Sequence, residues 1–368
     1  MTSTAASDQL QMRPKPAADF DIVGCYNTLL AENAELTQPV AAIEALIAML
    51  NASSTSTVYE TLESTTRYAN LLKDAVHNPL PLTAGTDLFQ QFLLSSLKQQ
   101  QEGAVHRGPA AATATAAVSF DALRAALVQN GSLFAQRARE ARDRIAAAGW
   151  RFVRDDQCVL THGASRTVST LLVRAAKESK SRNNGTVRFK VVYVRDAWRV
   201  DENDRIVNKL RAEGIPVAEI PSAAVAHVMA MLRQVHVVFI GAEAVTQDGG
   251  VISRLGTLQL ARLARHANPP IPFYVAAEEH KFLRRLPRYQ DDADLGCSQS
   301  LLDFTTDKTS NQPENPIDWT DHTYITNLIT ENGVKSPSYV TEQLIEIYGT
   351  LTPQMILDKV QFGITAGR

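Results

Sequence analysis

The chain has 368 residues, 45% of them hydrophobic and 21% charged, which allows two domains with a sizeable core. Lys and Arg total 37 against 39 Asp and Glu, a formal net charge of −2, so there is no global positive field of the kind that draws in a nucleic acid. Three widely separated cysteines, Cys25, Cys158 and Cys297, form no C-x-x-C or Cys/His set, which disfavours a zinc site and fits reduced thiols in the cytosol.

The first residues, MTSTAASDQLQMRPKPAADF, contain no apolar signal core, and no later run approaches the roughly 20 apolar residues of a membrane span. A soluble cytosolic protein is expected, with residues 1–19 as a flexible tail. From Phe20 to Trp150 the pattern is helical. PVAAIEALIAML, VYETLESTTRYANLLKDAV and DLFQQFLLSSLKQQ repeat apolar residues at three- and four-residue spacing. Residues 102–119, EGAVHRGPAAATATAAVS, are small and Pro/Gly-punctuated, and read as a disordered insertion into this helical domain, 20–150. A long helix follows from Phe120. Its mixed-sign run from Gln136 to Arg144 reads as a solvated face.

From Asp155 the period changes. CVLTH, VRFKVVYV, IPVAEI, VHVVFIGA and IPFYVAA are nearly continuous apolar runs, as strands must be when helices cover both faces of a parallel sheet. The segments between them, SRTVSTLLVRAAKES, ENDRIVNKLRAEG, SAAVAHVMAMLRQ and GTLQLARLARHA, are each long enough for a crossover helix. The expected fold is α/β: a helical domain followed by a Rossmann-like, doubly wound parallel sheet over 151–368. A polar insertion interrupts it at 290–316. YITNLIT then reads as a strand, and Ser336-Pro337 as the N-cap and first residue of a closing helix.

Ligands of open α/β sheets bind beyond the carboxyl ends of the strands, so residues just after each strand are the candidates. In THGASR, Ser165 and Arg166 at a strand-to-helix turn offer a hydroxyl, a guanidinium and helix amides to a phosphate. The plain alternative, that Ser165 only caps the helix and Arg166 faces water, carries even weight. Arg195 and Asp196, with Trp198 and Arg199 close behind, follow the second strand. Glu243 follows VVFIGA, and Glu278, Glu279, His280 and Lys281 end YVAAEEHKF. In SRLGT, Arg254 precedes another helix. The recurrence of charge at successive strand tips points to a shared anion site. No G-x-G-x-x-G after a strand, no G-x-x-x-x-G-K-[ST] and no H-E-x-x-H occurs, which removes the usual support for dinucleotide, P-loop and zincin chemistry. His162 and Ser165, three apart at a turn, do not suit a nucleophile and its base.

The ordered series THGASR, VVFIGAEAV, ISRLGT, PFYVAAEEHKF and SPSYVTEQLIEIYG, with PVAAIEALIAML upstream, resembles the regulatory subunits of translation initiation factor 2B, the alpha subunit above all. The same family includes methylthioribose-1-phosphate isomerase and archaeal ribose-1,5-bisphosphate isomerase. In those enzymes a catalytic cysteine follows the T-H pair and an aspartate follows G-A; the matching positions are Gly163 and Glu243. The resemblance therefore implies dismantled aldose–ketose isomerase machinery, no catalytic residue, no metal and no required cofactor. It implies a site for a sugar phosphate or nucleotide monophosphate, lined by Thr161, His162, Gly163, Ser165, Arg166, Arg195, Glu243, Arg254 and Lys281. It further implies a homodimer, built through the Rossmann-like half, that bridges two assemblies of beta, gamma, delta and epsilon subunits. That complex exchanges nucleotide on initiation factor 2 and senses its phosphorylated alpha subunit, the helical domain supplying part of the surface. The alternative is an active isomerase of a phosphorylated ribose.

Overall fold

One helix with apolar residues on every side organises the amino-terminal half. The computed structural model describes residues 20–33, 36–53, 58–76, 78–105, 120–195, 198–231, 235–290 and 316–349. The expected tail, the core of each insertion (106–119 and 291–315), Asp196 and Cys297 lie outside the described residues. Helix α2 (Gln38–Ala52) buries Val40, Ala41, Ala42, Ile43, Ala45, Leu46, Ile47, Met49 and Leu50, a pattern that leaves no face for water. Around it lie α1 (Ile22–Glu32), capped by the Asp21 carboxylate on the Gly24 amide, α3 (Val58–Ala75), α4 (Leu80–Val105) and α5 (Phe120–Gly149). The first four residues expected in the disordered insertion, 102–105, instead continue α4. Extending an existing helix by one turn costs little, because nucleation has already been met. Among the described residues no helix is long and apolar enough to cross a membrane.

The described residues of the second half are built around a seven-stranded sheet. Five strands occupy the expected apolar runs: β1 (Cys158–His162), β2 (Lys190–Arg195), β3 (Val217–Pro221), β4 (Val237–Gly241) and, further on, β7 (Phe273–Ala276). A sixth parallel strand, β9 (Asn327–Thr330), lies within YITNLIT, and β10 (Gly333–Lys335) adds an antiparallel edge. The order is β10-β9-β7-β4-β1-β2-β3. Its parallel part runs outward in both directions from β1 and β4, as in a dinucleotide-binding sheet, so the topological switch point lies between those two strands. Crossover helices α6 (Arg166–Arg182), α7 (Val200–Ala212), α8 (Val225–Ala230) and α9 (Thr257–His266) connect the sheet.

Two features differ from the sequence reading. A small antiparallel sheet, β5 (Ala244–Val245), β6 (Val251–Arg254) and β8 (Ile317–Thr320), stands beside the main one in the order β5-β6-β8. The closing helix α10 (Tyr339–Tyr348) begins two residues after Pro337, with Ser338 as its N-cap. Residues 336–338 form a turn instead, because the Pro337 carbonyl packs on Gly249, where any Cβ would collide with it.

Candidate functional site

The carboxyl ends of β1 and β4 approach each other so closely that side chains are restricted. A Cβ on Gly241, the last residue of β4, would meet Ser165 Oγ and Cβ at clashing distance, so only glycine fits there. Gly163 adopts φ +78°, and a Cβ on it would press on Arg254 Cγ at 3.1 Å. Ser165 accepts the Val168 amide at 3.3 Å and so caps α6, as the plain reading of that residue had it. Thr161 is buried in β1. His162 Nε2 lies 2.8 Å from Thr257 Oγ1, whose proton goes to the Arg254 carbonyl at 2.7 Å. With that hydroxyl committed as a donor, His162 carries its proton on Nε2.

Arg254 and Glu243 form an ion pair at 2.8 Å, with the arginine side chain only 7% exposed. Lys281 Nζ donates to the Ala242 carbonyl and pairs with Glu278, both at 2.8 Å. Burial pushes the Glu243 carboxyl up, but Arg254, Lys281, Arg199 and Arg166 together hold it below the ordinary glutamate value. One of these cations, Arg254, touches the carboxylate, and the other three act on it through charge alone. Of the two arginines at and just after the end of β2, Arg199 pairs with Glu202 at 2.8 Å and adds only the pull of its charge on Glu243. Arg195 turns to the far side, paired with Glu219 of β3 and with Asp204 of α7 at 2.7 Å. Arg166 does not face water: its Nη1 donates to the Leu36 carbonyl, 3.0 Å away in the helical half. The amino-terminal turn of α9, the helix that Arg254 precedes, is already occupied. Asp318 of β8 accepts the Gly256 and Leu258 amides there at 2.8 and 3.1 Å, and burial pushes its carboxyl up to about 7.

Beneath the cluster the helical half supplies a residue that charge patterning hid. Arg142 of α5, within the run read as a solvated face, is 14% exposed and sits 3.8 Å from Glu278. Glu278 is buried, accepts Thr167 Oγ1 at 2.8 Å, and is held strongly ionised by Lys281 and Arg142 against the cost of burial. The neighbouring His280 is buried with no hydrogen-bond partner on either ring nitrogen among the described residues, and burial lowers its pKa to about 4, so it is neutral. Its spacing to Glu278 gave no hint of this, since it depends on α4 and α5 closing over the turn. Elsewhere Asp248, Asp321 and His322 bring one ligand atom each within 4.8 Å of one another. Their inner oxygens serve local turns, Asp248 for Thr246 and Gly250 and Asp321 for Thr323. Cys25 is partly buried and Cys158 buried, both as free thiols.

A dinucleotide-order sheet with a helical domain over its carboxyl edge, and charged side chains instead of a glycine-rich loop at the switch point, defines a Rossmann-like α/β protein. The chain belongs to the initiation factor 2 subunit family, which matches residues 32–337. It is 28% identical over 342 residues to translation initiation factor eIF2B subunit alpha of Dictyostelium discoideum, covering 90% of this chain and 98% of that one. Against the alpha subunit of Caenorhabditis elegans the identity is 24% over 331 residues, covering 89% and 98%. Ribose 1,5-bisphosphate isomerase of Archaeoglobus fulgidus is 27% identical over 239 residues, covering 61% of this chain and 70% of its own. In structure, eIF2B beta from Chaetomium thermophilum superposes with a TM-score of 0.67 at 16% identity, over 89% of this chain and 92% of that one, a likeness of fold.

Proposed function

We propose that this chain is a cytosolic regulatory subunit of the guanine-nucleotide exchange complex for translation initiation factor 2, without catalytic activity of its own. In this reading it is a homodimer that bridges two assemblies of beta, gamma, delta and epsilon subunits and helps sense the phosphorylated alpha subunit of initiation factor 2. The end-to-end similarity to two alpha subunits supports it. The observation that carries the non-catalytic part is local: Gly163 supplies no thiol, and the Glu243 carboxylate is tied to Arg254 at 2.8 Å instead of being held for proton transfer. The cluster retains a binding role for a sugar phosphate or nucleotide monophosphate, with Arg166, Arg254 and Lys281 as the anion contacts and no cofactor.

Affinity purification from the source cell, with identification of co-purifying subunits, tests the assignment. Recovery of the other four exchange-factor subunits is expected, and a chain that purifies alone would overturn it. Sedimentation should give a dimer at micromolar concentration. The isomerase alternative draws on the likeness to the archaeal enzyme. A coupled assay with ribose 1,5-bisphosphate and methylthioribose 1-phosphate should detect no turnover, and turnover abolished by Glu243→Gln would establish it instead.

A further inference from the structure

The start of α9 directs its main-chain amides at a charge carried by another element. Its N-cap is Gly256, at φ +104° and with no capping side chain, and the first amides of a helix have no partner within the helix itself. Asp318 of β8 accepts the Gly256 and Leu258 amides through Oδ2, at 2.8 and 3.1 Å, and the Thr257 amide between them also stabilises its charge. Three successive amides at the positive end of a helix suit a phosphate group. The turn borders the end of β1, since a Cβ on Gly256 would stand 3.8 Å from His162 Cε1.

Asp318 fits this place poorly. It is 6% exposed, and its second oxygen, Oδ1, is buried with no hydrogen-bond partner among the described residues. Burial raises its pKa by more than the amides lower it, as it does for a carboxylate that gives up its hydration and is only half satisfied in return. The next two residues repeat the deficit: Trp319 Nε1 and Thr320 Oγ1 are also buried without partners among the described residues. β8 pairs with β6 on one side. On the other side, at Trp319, it is closed by the exposed side chain of Gln290, which donates to the Trp319 carbonyl at 2.6 Å and accepts its amide at 2.9 Å. Unmet polar groups in the interior are costly, so β8 is held less firmly than its burial alone would give.

We propose that the amino-terminal turn of α9 is a phosphate-binding seat and that Asp318 is its built-in occupant, an autoinhibitory anion that a phosphate group must displace. A phosphate brings close to two charges and three strong acceptor oxygens, whereas both amide bonds of Asp318 go to a single oxygen. The advantage of the incoming group is therefore one of charge and of acceptor count. This seat goes beyond the sugar-phosphate reading above: it consists of α9 main chain and not of the side chains around Glu243, and either can fail without the other.

Hydrogen exchange of the full chain at pH 8, with and without millimolar inorganic phosphate, compares the wild type with Asp318→Ala. Without phosphate the variant should lose protection at the Gly256 and Leu258 amides. Phosphate should then slow their exchange roughly tenfold in the variant and leave them unchanged in the wild type. If Asp318→Ala does not fold, Asp318→Asn takes its place, keeping the shape and removing the charge, with a smaller effect in the same direction. A parallel arm with ribose 5-phosphate distinguishes the sources, because protection by either supports the seat and the stronger of the two names the form it takes. Absence of phosphate-dependent protection in the charge-free variant would overturn the seat. Equal protection gained by wild type and variant would overturn the autoinhibition. Binding heat common to both proteins, with no change at these amides, would refute the seat and leave the side chains around Glu243 as the anion contact.

Discussion

Glu243 pairs with Arg254 and feels the charge of Lys281, Arg199 and Arg166, so its carboxylate would compete with an incoming anion. Removing that charge should help a phosphate and harm the fold. Glu243→Gln is expected to bind ribose 5-phosphate roughly tenfold more tightly, a modest share of the several kcal/mol that a unit charge contributes at about 4 Å in a partly screened site. The same change leaves Arg254 buried against a neutral amide, at a cost of roughly 2 kcal/mol at pH 7, below that of a fully buried pair because Glu243 keeps some exposure. The folded carboxyl is depressed, so its contribution is present above the unfolded glutamate pKa and fades as pH falls through the lower folded value. Urea denaturation at pH 7 and in acid should therefore show the variant's deficit shrinking on acidification. Equal affinities in the titration would mean that no anion sits beside Glu243. At this scale the residue types were legible in the sequence, and their directions were not. A strand tip fixes where a Cα lies, yet a long arginine side chain can turn to either side: Arg195 reaches Glu219 and Arg199 reaches Glu202. Arg142 looked solvated because nothing in a helix face of mixed charge says which turn another domain will cover.

Two elements meet at the ends of β7 and β9 through a pair of glutamates. Glu279 accepts Tyr339 of α10 at 3.0 Å, Asn332 at 2.8 Å and Thr330 at 3.2 Å, while Glu331 accepts the Glu279 amide at 3.1 Å. Burial first, and then the Glu279 carboxylate, push Glu331 up to about 8. An acid with a raised folded pKa keeps its proton in the native state between about 4.5 and 8, so stability falls as pH rises through that window. Glu331→Gln should lose this slope and gain on the wild type progressively from pH 6 to pH 9, read from urea midpoints. Parallel curves for the two proteins would refute it. Gly241→Ala should be harsher. The added methyl has nowhere to go but into Ser165, forcing β4 and α6 apart at a cost of about 1–3 kcal/mol, measurable as a lowered unfolding midpoint together with weakened anion binding. The main strands were readable because strands buried on both faces are apolar without interruption. β5 has two residues, and β8 pairs with a strand more than sixty residues earlier, so neither leaves a local periodicity. The start of α10 moved for a similar reason, since Pro337 is held by Gly249, a contact distant in sequence.

Across the whole molecule, the helical half and the sheet are joined by buried polar contacts as well as by packing. Arg166 reaches Leu36, Gln91 of α4 donates to the Ile347 carbonyl of α10 at 3.1 Å, and Arg142 of α5 faces Glu278. The last of these closes a chain of charge from α5 through Glu278 to Lys281 and the Ala242 carbonyl, linking the helical domain to the strand end beside Glu243. Glu278 is 2% exposed in its side chain, so Glu278→Gln should destabilise by about 3 kcal/mol, leaving two cations without their carboxylate. The share owed to the domain contact is separable by a double-mutant cycle. Arg142→Met with Glu278→Gln should show a coupling of about 1 kcal/mol, as residues within one buried network do. Arg144→Met is the control, because Arg144 is half exposed and pairs with Glu140 along its own helix, where exposed ion pairs contribute little. Near-zero coupling for both pairs would mean that α5 rests on the sheet by apolar contact alone, and that the charge on Glu278 answers only to Lys281. A coupling confined to Arg142 would place an electrostatic tie between the two halves directly beneath the strand end that carries Glu243.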